Sequence, residues 1–424
     1  MQKITALTRE QLAVCREELA AAYDKLAARG LALDMSRGKP GPDQLALSAE
    51  LLDALLSPDD PKTVKGFDVR NYGLPEGIPE ARALFGGLLD MPADQVVAGG
   101  NSSLNMMFDY VATAYAKGVC GHPAWAGQQV KFLCPVPGYD RHFSLTEFFG
   151  IGMIPVKMDE NGPDMDEVER LAADPAVKGI WCVPAYSNPT GIVYSDAVVE
   201  RLAALNAAAP DFRIMWDCAY IVHHLTDTPP ALKNLYKAAA AYGKEDQVIM
   251  FGSTSKITFA GAGLAALAAS PANIADIKKR IAMQTIGPDK VNMLRHVRFF
   301  GDADGVRAHM KLHKEILAPK FDLVCQMLEQ NLGGKGIASW VCPQGGYFVS
   351  VELLPGTAAR VVKLVKEAGM VMTGAGATWP YGKDPADSNL RIAPTFPPLD
   401  ELKAAMELFC VAVELAAVEK LMDG

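Results

Sequence analysis

The chain predicts an α/β fold: a large domain on a mainly parallel seven-stranded sheet, followed by a smaller α+β domain. Two patterns carry this expectation. Between about residue 95 and residue 320, short β-branched or aromatic runs bounded by turn residues alternate with helical stretches, the rhythm of parallel strands joined by helical crossovers. Beyond about residue 320 that rhythm breaks into a mixed order of helices and strands. At 424 residues, half of them hydrophobic and 21% charged, the chain can bury more than one core.

Residues 8 to 29 read as an amphipathic, charged helix. Ser36-Arg37-Gly38-Lys39-Pro40-Gly41-Pro42 is an irregular loop, and a helix is expected over Ser48 to Leu56. Asn71-Tyr72-Gly73-Leu74-Pro75-Glu76-Gly77 is a second loop, ahead of a helix over Ala81 to Leu89. Seven strands are expected at Gln95–Ala98, Lys131–Cys134, Gly152–Pro155, Gly179–Val183, Arg213–Trp216, Gln247–Phe251 and Gly263–Ala269. Helices fall between several of them, at Leu104 to Ala116, Met165 to Ala173 and Ala197 to Ala207; the alanine-rich stretches Ala203–Ala209 and Ala238–Ala241 also read as helix. The later region offers a long helix near Val306 to Glu329, strands at Ala338–Pro343 and Gly346–Val351, and a helix at Ala358 to Ala368. Strands at Met370–Thr373 and Asn389–Ala393 and a closing helix from Leu399 follow. The expected division is 1–50 as an N-terminal segment completing the small domain, 51–320 as the large domain and 321–424 as the small domain.

A net charge of −8 argues against nucleic acid or an anionic membrane as partner, since both select basic surfaces. No run of about 18 apolar residues occurs, so no membrane span is expected. Nor does the N-terminal stretch have the apolar run of a signal peptide. The eight cysteines, at 15, 120, 134, 182, 218, 325, 342 and 410, contain no Cys-x-x-Cys pair. They read as reduced and mostly buried thiols rather than disulfides or a zinc site. The seven histidines form no metal pattern. A cytoplasmic location without a bound metal follows as the expectation.

Four motifs sit at or near strand ends: Ser187-Asn188-Pro189-Thr190-Gly191, Asp217-Cys218-Ala219-Tyr220, Ser253-Thr254-Ser255-Lys256 and Asn389-Leu390-Arg391-Ile392. Each alone has an ordinary reading, as a turn, a helix cap, a solvated lysine or a surface arginine. Together, in this order, they match the needs of pyridoxal phosphate chemistry. The cofactor's pyridine nitrogen needs an ionised carboxylate beside it, and Asp217 fits. A phenol and an amide near its phenolate oxygen are supplied by Tyr220 and Asn188. Lys256 can hold the cofactor as a Schiff base and shuttle a proton. Arg391 suits the substrate α-carboxylate, because a guanidinium binds a carboxylate with two parallel donors. Gly100-Asn101-Ser102-Ser103, ahead of a helix, offers a phosphate cradle through Ser102 and Ser103, to which Ser253 adds a hydroxyl.

On these motifs the chain resembles the fold-type I, class I pyridoxal-phosphate-dependent aminotransferases, essentially end to end. It is most similar to the bacterial aspartate aminotransferase branch related to the effector domain of MocR-type regulators. The resemblance implies that Tyr139 stacks on the pyridine ring and that the backbone of Gly38 lies near the substrate carboxylate. It also implies that Tyr72 reaches the phosphate held by a partner subunit, hence a homodimer with shared active sites. One feature departs from the family: Ile257-Thr258-Phe259-Ala260-Gly261-Ala262-Gly263-Leu264 lacks the basic residue that usually clamps the phosphate after the lysine.

The resemblance further implies amino transfer between an L-amino acid, aspartate favoured, and a 2-oxo acid such as 2-oxoglutarate, by a ping-pong mechanism. A dicarboxylic substrate needs a second cation, for which Lys290, Arg37 and Lys39 are candidates. Aromatic transamination and β-lyase chemistry use the same Asp, Lys and Arg and stay open. Ser253-Thr254-Ser255-Lys256 also satisfies the Ser-x-x-Lys of penicillin-binding serine hydrolases, but no Lys-Thr-Gly follows it. A non-catalytic regulator that binds pyridoxal phosphate would need a DNA-binding domain. Only about thirty-five residues precede the Arg37-Gly38 loop.

Overall fold

The computed structural model describes residues 3–36, 38–55, 57 and 61–423. All seven expected strands form and lie in one sheet. Its order across is Val96–Ala98, Ala265–Ala269, Val248–Ser253, Arg213–Asp217, Val177–Cys182, Lys131–Val136 and Gly152–Asp159. An eighth short strand, Gly162–Pro163, folds back antiparallel on the last. Pairing is parallel from Val248–Ser253 through to Gly152–Asp159. Ala265–Ala269 alone runs against both of its neighbours, so Val96–Ala98 points the same way as the parallel set. Strands Val177–Cys182, Arg213–Asp217 and Ala265–Ala269 are buried at every position, the consequence of helices covering both faces.

The chain leaves four of these strands at one edge of the sheet. Asp217 ends Arg213–Asp217 and Ser253 ends Val248–Ser253, with Asp217 registered against Phe251. Asn188 follows Val177–Cys182, while Ser102 caps the helix Ser103–Lys117 that follows Val96–Ala98. Carboxyl ends of parallel strands gather ligand-binding loops because the crossover helices begin there.

A second core gathers the C-terminal part of the long helix Ala303–Leu332 from Phe321 on, the antiparallel strands Ala338–Trp340, Val349–Leu353 and Asn389–Ile392, and the closing helix Leu399–Asp423. The first turns of the long helix pack in the core of the large sheet. N-terminal residues Ile4, Leu12, Leu33 and Met35 are buried in this core. Strand Leu33–Met35 pairs parallel with Met370–Met372. Helix Arg9–Ala27 is started by a capping box in which the Thr8 hydroxyl and the Gln11 side chain satisfy each other's backbone N–H.

Several expectations are corrected. Ala203–Ala209 is not one helix: Asp196–Ala203 stops there. The Lys244 ammonium donates to the carbonyls of Ala204 and Leu205, and Pro210 keeps the residue before it out of helical backbone. In place of a helix over Ser48 to Leu56, a 3₁₀ stretch covers Ala49–Asp53, as is common for short connectors; Leu56 lies outside the described residues. Strand Ala338–Pro343 shortens to Ala338–Trp340. Two thiols expected to be free, Cys325 and Cys342, form a disulfide across 17 residues, with Cα atoms 6.0 Å apart. Their adjacency is tertiary, between the long helix and the chain beyond Trp340, so no local spacing announced it. Among the described residues, no helix is long and apolar enough to cross a membrane.

Candidate active site

Lys256 lies in the turn that follows strand Val248–Ser253. Its ammonium stands 5.1 Å from the centre of the Tyr220 ring and 5.9 Å from that of Tyr347. It lines a cavity of about 360 Å³ together with Gly38, Tyr139, Asn188, Tyr220 and Arg391. Burial pulls the lysine pKa down, the Asp217 charge opposes that shift, and Arg391 reinforces it. A lowered pKa leaves more neutral amine at neutral pH, the form that attacks a carbonyl or accepts a proton. The Tyr347 hydroxyl donates to the Lys256 carbonyl at 3.3 Å and accepts from the Gln44 amide at 2.9 Å, so the N-terminal segment helps to fix the lysine backbone.

Asp217 is only 3% exposed. One carboxylate oxygen lies 3.2 Å from His142 Nε2 and the other accepts the Ala219 N–H at 3.1 Å. His142 is itself stacked on Trp181 at 4.3 Å, and Tyr139 meets its ring edge-on at 4.9 Å. A buried carboxylate needs such donors, because an unpaired one would be driven to protonate. Tyr220 is buried, and its phenol is pushed well up by burial first, then by Tyr139 and Asp217, with Arg391 opposing. Burial, Asp217 and Asp140 likewise raise the Tyr139 phenol.

Arg391 comes from the second core, on strand Asn389–Ile392. Its guanidinium is 6% exposed and lies 4.6 Å from the Phe348 ring centre. One terminal nitrogen donates to Asp140 and to Asn188 Oδ1, both at 3.0 Å; the other donates to Thr373 Oγ1 at 3.2 Å. Nε is buried with no partner among the described residues. Gly38 sits against the same aromatic wall: a Cβ there would lie 2.5 Å from Phe348 Cζ.

Ser102 accepts the Asn105 N–H at 3.4 Å as the N-cap of its helix, and Ser103 is buried in the first turn. Ser253 Oγ bonds Ser255 Oγ at 3.1 Å, and Ser255 Oγ donates to the Asn101 carbonyl at 3.2 Å. These contacts join the Ser102 loop to the Lys256 turn.

Of the residues named from sequence, Asp217, Ser102, Ser103, Ser253, Tyr72, Lys290 and Lys39 do not line the cavity of Lys256. Tyr72 is 74% exposed on its loop. Lys290 is buried with its ammonium 3.4 Å from the Pro288 carbonyl, and Lys39 is held by Asp34 at 3.4 Å and by the Phe396 ring. Arg37 lies outside the described residues. Sequence reasoning missed His142, Tyr347, Phe348, Thr373, Asp140 and Arg141. Only the last two carried a signal, following Tyr139 directly.

A lysine at a parallel-strand end, facing a buried aspartate and sharing its cavity with an arginine from a second core, defines the site of a fold-type I aminotransferase. The chain belongs to the aspartate amino-transferase family, whose model matches residues 7–424. It is 51% identical to a putative aminotransferase of Mycolicibacterium smegmatis, over 98% of each chain. With an aspartate aminotransferase of Corynebacterium glutamicum it shares 48% identity over 94% of this chain and 92% of the other. The crystal structure of an aspartate transaminase from Corynebacterium glutamicum superposes with a TM-score of 0.96 at 46% identity, covering 99% of both chains. The protein is thus an enzyme, a transaminase.

Proposed function

We propose that the protein uses pyridoxal 5'-phosphate to transfer the amino group of aspartate to 2-oxoglutarate, as a cytoplasmic homodimer. The observation that carries this reading is the shared cavity of Lys256 and Arg391, with the Asp217 charge felt at the lysine amine. The donor set suits the cofactor. Asn101, Ser255 and Gly263 converge so closely that a Cβ on Gly263 would lie 3.0 Å from the Asn101 carbonyl oxygen and 3.3 Å from Ser255 Cα. Such a pinch brings hydroxyls and a helix N-terminus to one point, which suits a phosphate even without an arginine after Lys256.

Bound there, the cofactor would supply the carbonyl that takes up the amino group and an electron sink for the bond to the substrate α-hydrogen. Lys256 would hold it covalently, with Ser102, Ser103 and Ser253 at the phosphate and Tyr139 against the ring. Tyr220 and Asn188 would face its phenolate oxygen. Asp217, hydrogen-bonded at both oxygens, would hold a proton on the ring nitrogen. Arg391 would bind the α-carboxylate, and Lys256 Nζ would move the α-proton. Gly38 allows the approach of the substrate carboxylate beside Phe348. Tyr72, exposed here, would complete the phosphate site of a partner subunit, and Lys290 would lie at that subunit boundary. The two cores would correspond to domains divided near residue 320, with residues 1–50 joining the smaller one.

The test is reconstitution with pyridoxal phosphate, followed by borohydride reduction and peptide mapping. The reading expects a pyridoxyl group on Lys256 and amino transfer from aspartate to 2-oxoglutarate. Label on another lysine, or a reduced protein carrying no label, would overturn the cofactor assignment. Preference for a monocarboxylic amino acid would overturn the substrate.

A further inference from the structure

Among the described residues, three cationic side chains line the cavity: Lys256, Arg391 and Arg141. The first carries the reaction. The second already binds Asp140, Asn188 and Thr373. Arg141 is exposed and makes no hydrogen bond or ion pair among the described residues, although its charge acts on the Tyr139 phenol.

Its backbone is nonetheless firmly held. Arg141 lies in the first turn of helix Asp140–Phe148, between Asp140, which bonds Arg391, and His142, which bonds Asp217. The Tyr139 carbonyl accepts the His142 N–H at 3.1 Å, and Asp140 O accepts the Ser144 hydroxyl at 2.9 Å. Of these three consecutive residues, Asp140 and Arg141 line the cavity, while His142 holds Asp217. The flanking two are engaged by protein, and the middle one presents a free guanidinium. Lys39 is taken by Asp34 and Phe396, and Lys290 is turned to the Pro288 carbonyl; Arg37 lies outside the described residues.

From this we infer that Arg141 is the specificity-determining clamp for the distal carboxylate of a dicarboxylic substrate, whose α-carboxylate sits at Arg391. The inference rests on the dicarboxylic reading above and assigns that carboxylate to a residue of the same chain. A four- or five-carbon dicarboxylate has charged groups at both ends, so two guanidiniums fix its length as well as its orientation. An unpartnered arginine at the cavity wall meets the ligand without first breaking a protein ion pair. A monocarboxylic amino acid gains nothing from it.

The experiment compares the wild-type holoenzyme with Arg141→Gln and Arg141→Lys, all checked for an unchanged thermal midpoint. Half-reactions are run with aspartate, glutamate and alanine, and succinate is titrated as an unreactive dicarboxylate against the cofactor absorbance. Arg141→Gln is expected to raise KM for aspartate and glutamate, and to weaken succinate, by about 10- to 100-fold. Alanine turnover stays within about threefold of wild type, and Arg141→Lys recovers part of the loss. The inference is overturned if Arg141→Gln keeps the wild-type KM for aspartate and its succinate affinity, or loses alanine turnover in equal measure. If the wild-type enzyme itself does not prefer aspartate to alanine, the dicarboxylic reading fails first and this inference with it.

Discussion

Lys256 and Arg391 line one cavity but reach it by different routes. The Lys256 end is assembled by neighbouring strands of one sheet, whose common direction brings Asp217, Asn188, Ser253 and Ser102 to a single edge. The Arg391 end needs four separated segments: strand Asn389–Ile392, the Phe348 region, Thr373 after Met370–Met372, and Ser36 with Gly38 near the N-terminus. One end is set by sheet topology, which tolerates little displacement. The other is a junction between the sheet region and a second core. Damage at the first end should therefore appear in the chemical step, and damage at the second in substrate binding.

The sharpest way to break this contrast is Lys256→Ala. It should lower turnover on the order of 10⁴-fold, since proton transfer at the reacting carbon is lost, while the thermal midpoint barely changes. Single-turnover absorbance kinetics of the reconstituted protein would measure it. A loss confined to KM would contradict the division of roles.

Arg391→Lys probes the other end. The charge stays but the fork is lost, and so is the stacking on Phe348. Binding of the substrate carboxylate should weaken by about 2–5 kcal/mol, read as a KM increase for every amino acid tested, alanine included. Comparable loss in kcat would mean that the arginine also orients the reacting carbon.

A third expectation concerns the support behind Lys256. His309 and His313 are buried beneath the next residue, with His309 Nε2 3.2 Å and His313 Nε2 3.0 Å from the Ile257 carbonyl. Burial and the neighbouring His309 hold the His313 pKa down at about 4, against partial opposition from Ile257 O and Asp43. Between about pH 6.5 and 4 the unfolded chain binds a proton here that the folded protein refuses. Stability therefore falls as pH drops through that window, by up to on the order of 3 kcal/mol. Urea unfolding midpoints at pH 7 and pH 5 would reveal the slope, and His313→Gln should flatten it. An unchanged slope would remove His313 as its source.

The smallest effect belongs to Gly38→Ala. The added methyl must displace Phe348, which packs on Arg391, at a cost of about 1–3 kcal/mol. KM should rise while the cofactor absorbance stays unchanged. A change in that absorbance would show that the two ends are coupled more tightly than their routes imply.

Much of the Lys256 end was legible in the sequence because its residues sit next to strand ends, and strand ends can be read from local pattern. Asp217, Tyr220, Asn188 and Lys256 all fall there. His142 was not legible: its value lies in facing Asp217 across 75 residues of chain. Phe348 and Thr373 were invisible for the same reason, as was the Cys325–Cys342 pair. Lys290 and Lys39 had the right charge, but packing gave each another partner.

By itself, then, the sequence determined the alternation of strands and helices, the motifs at their ends and the chemistry those residue types support, since each depends on a few neighbouring positions. Tertiary structure alone decided which cations stay free in the cavity and which side chains steady the buried charges. Those outcomes depend on distances between residues far apart in the chain, which local sequence cannot encode.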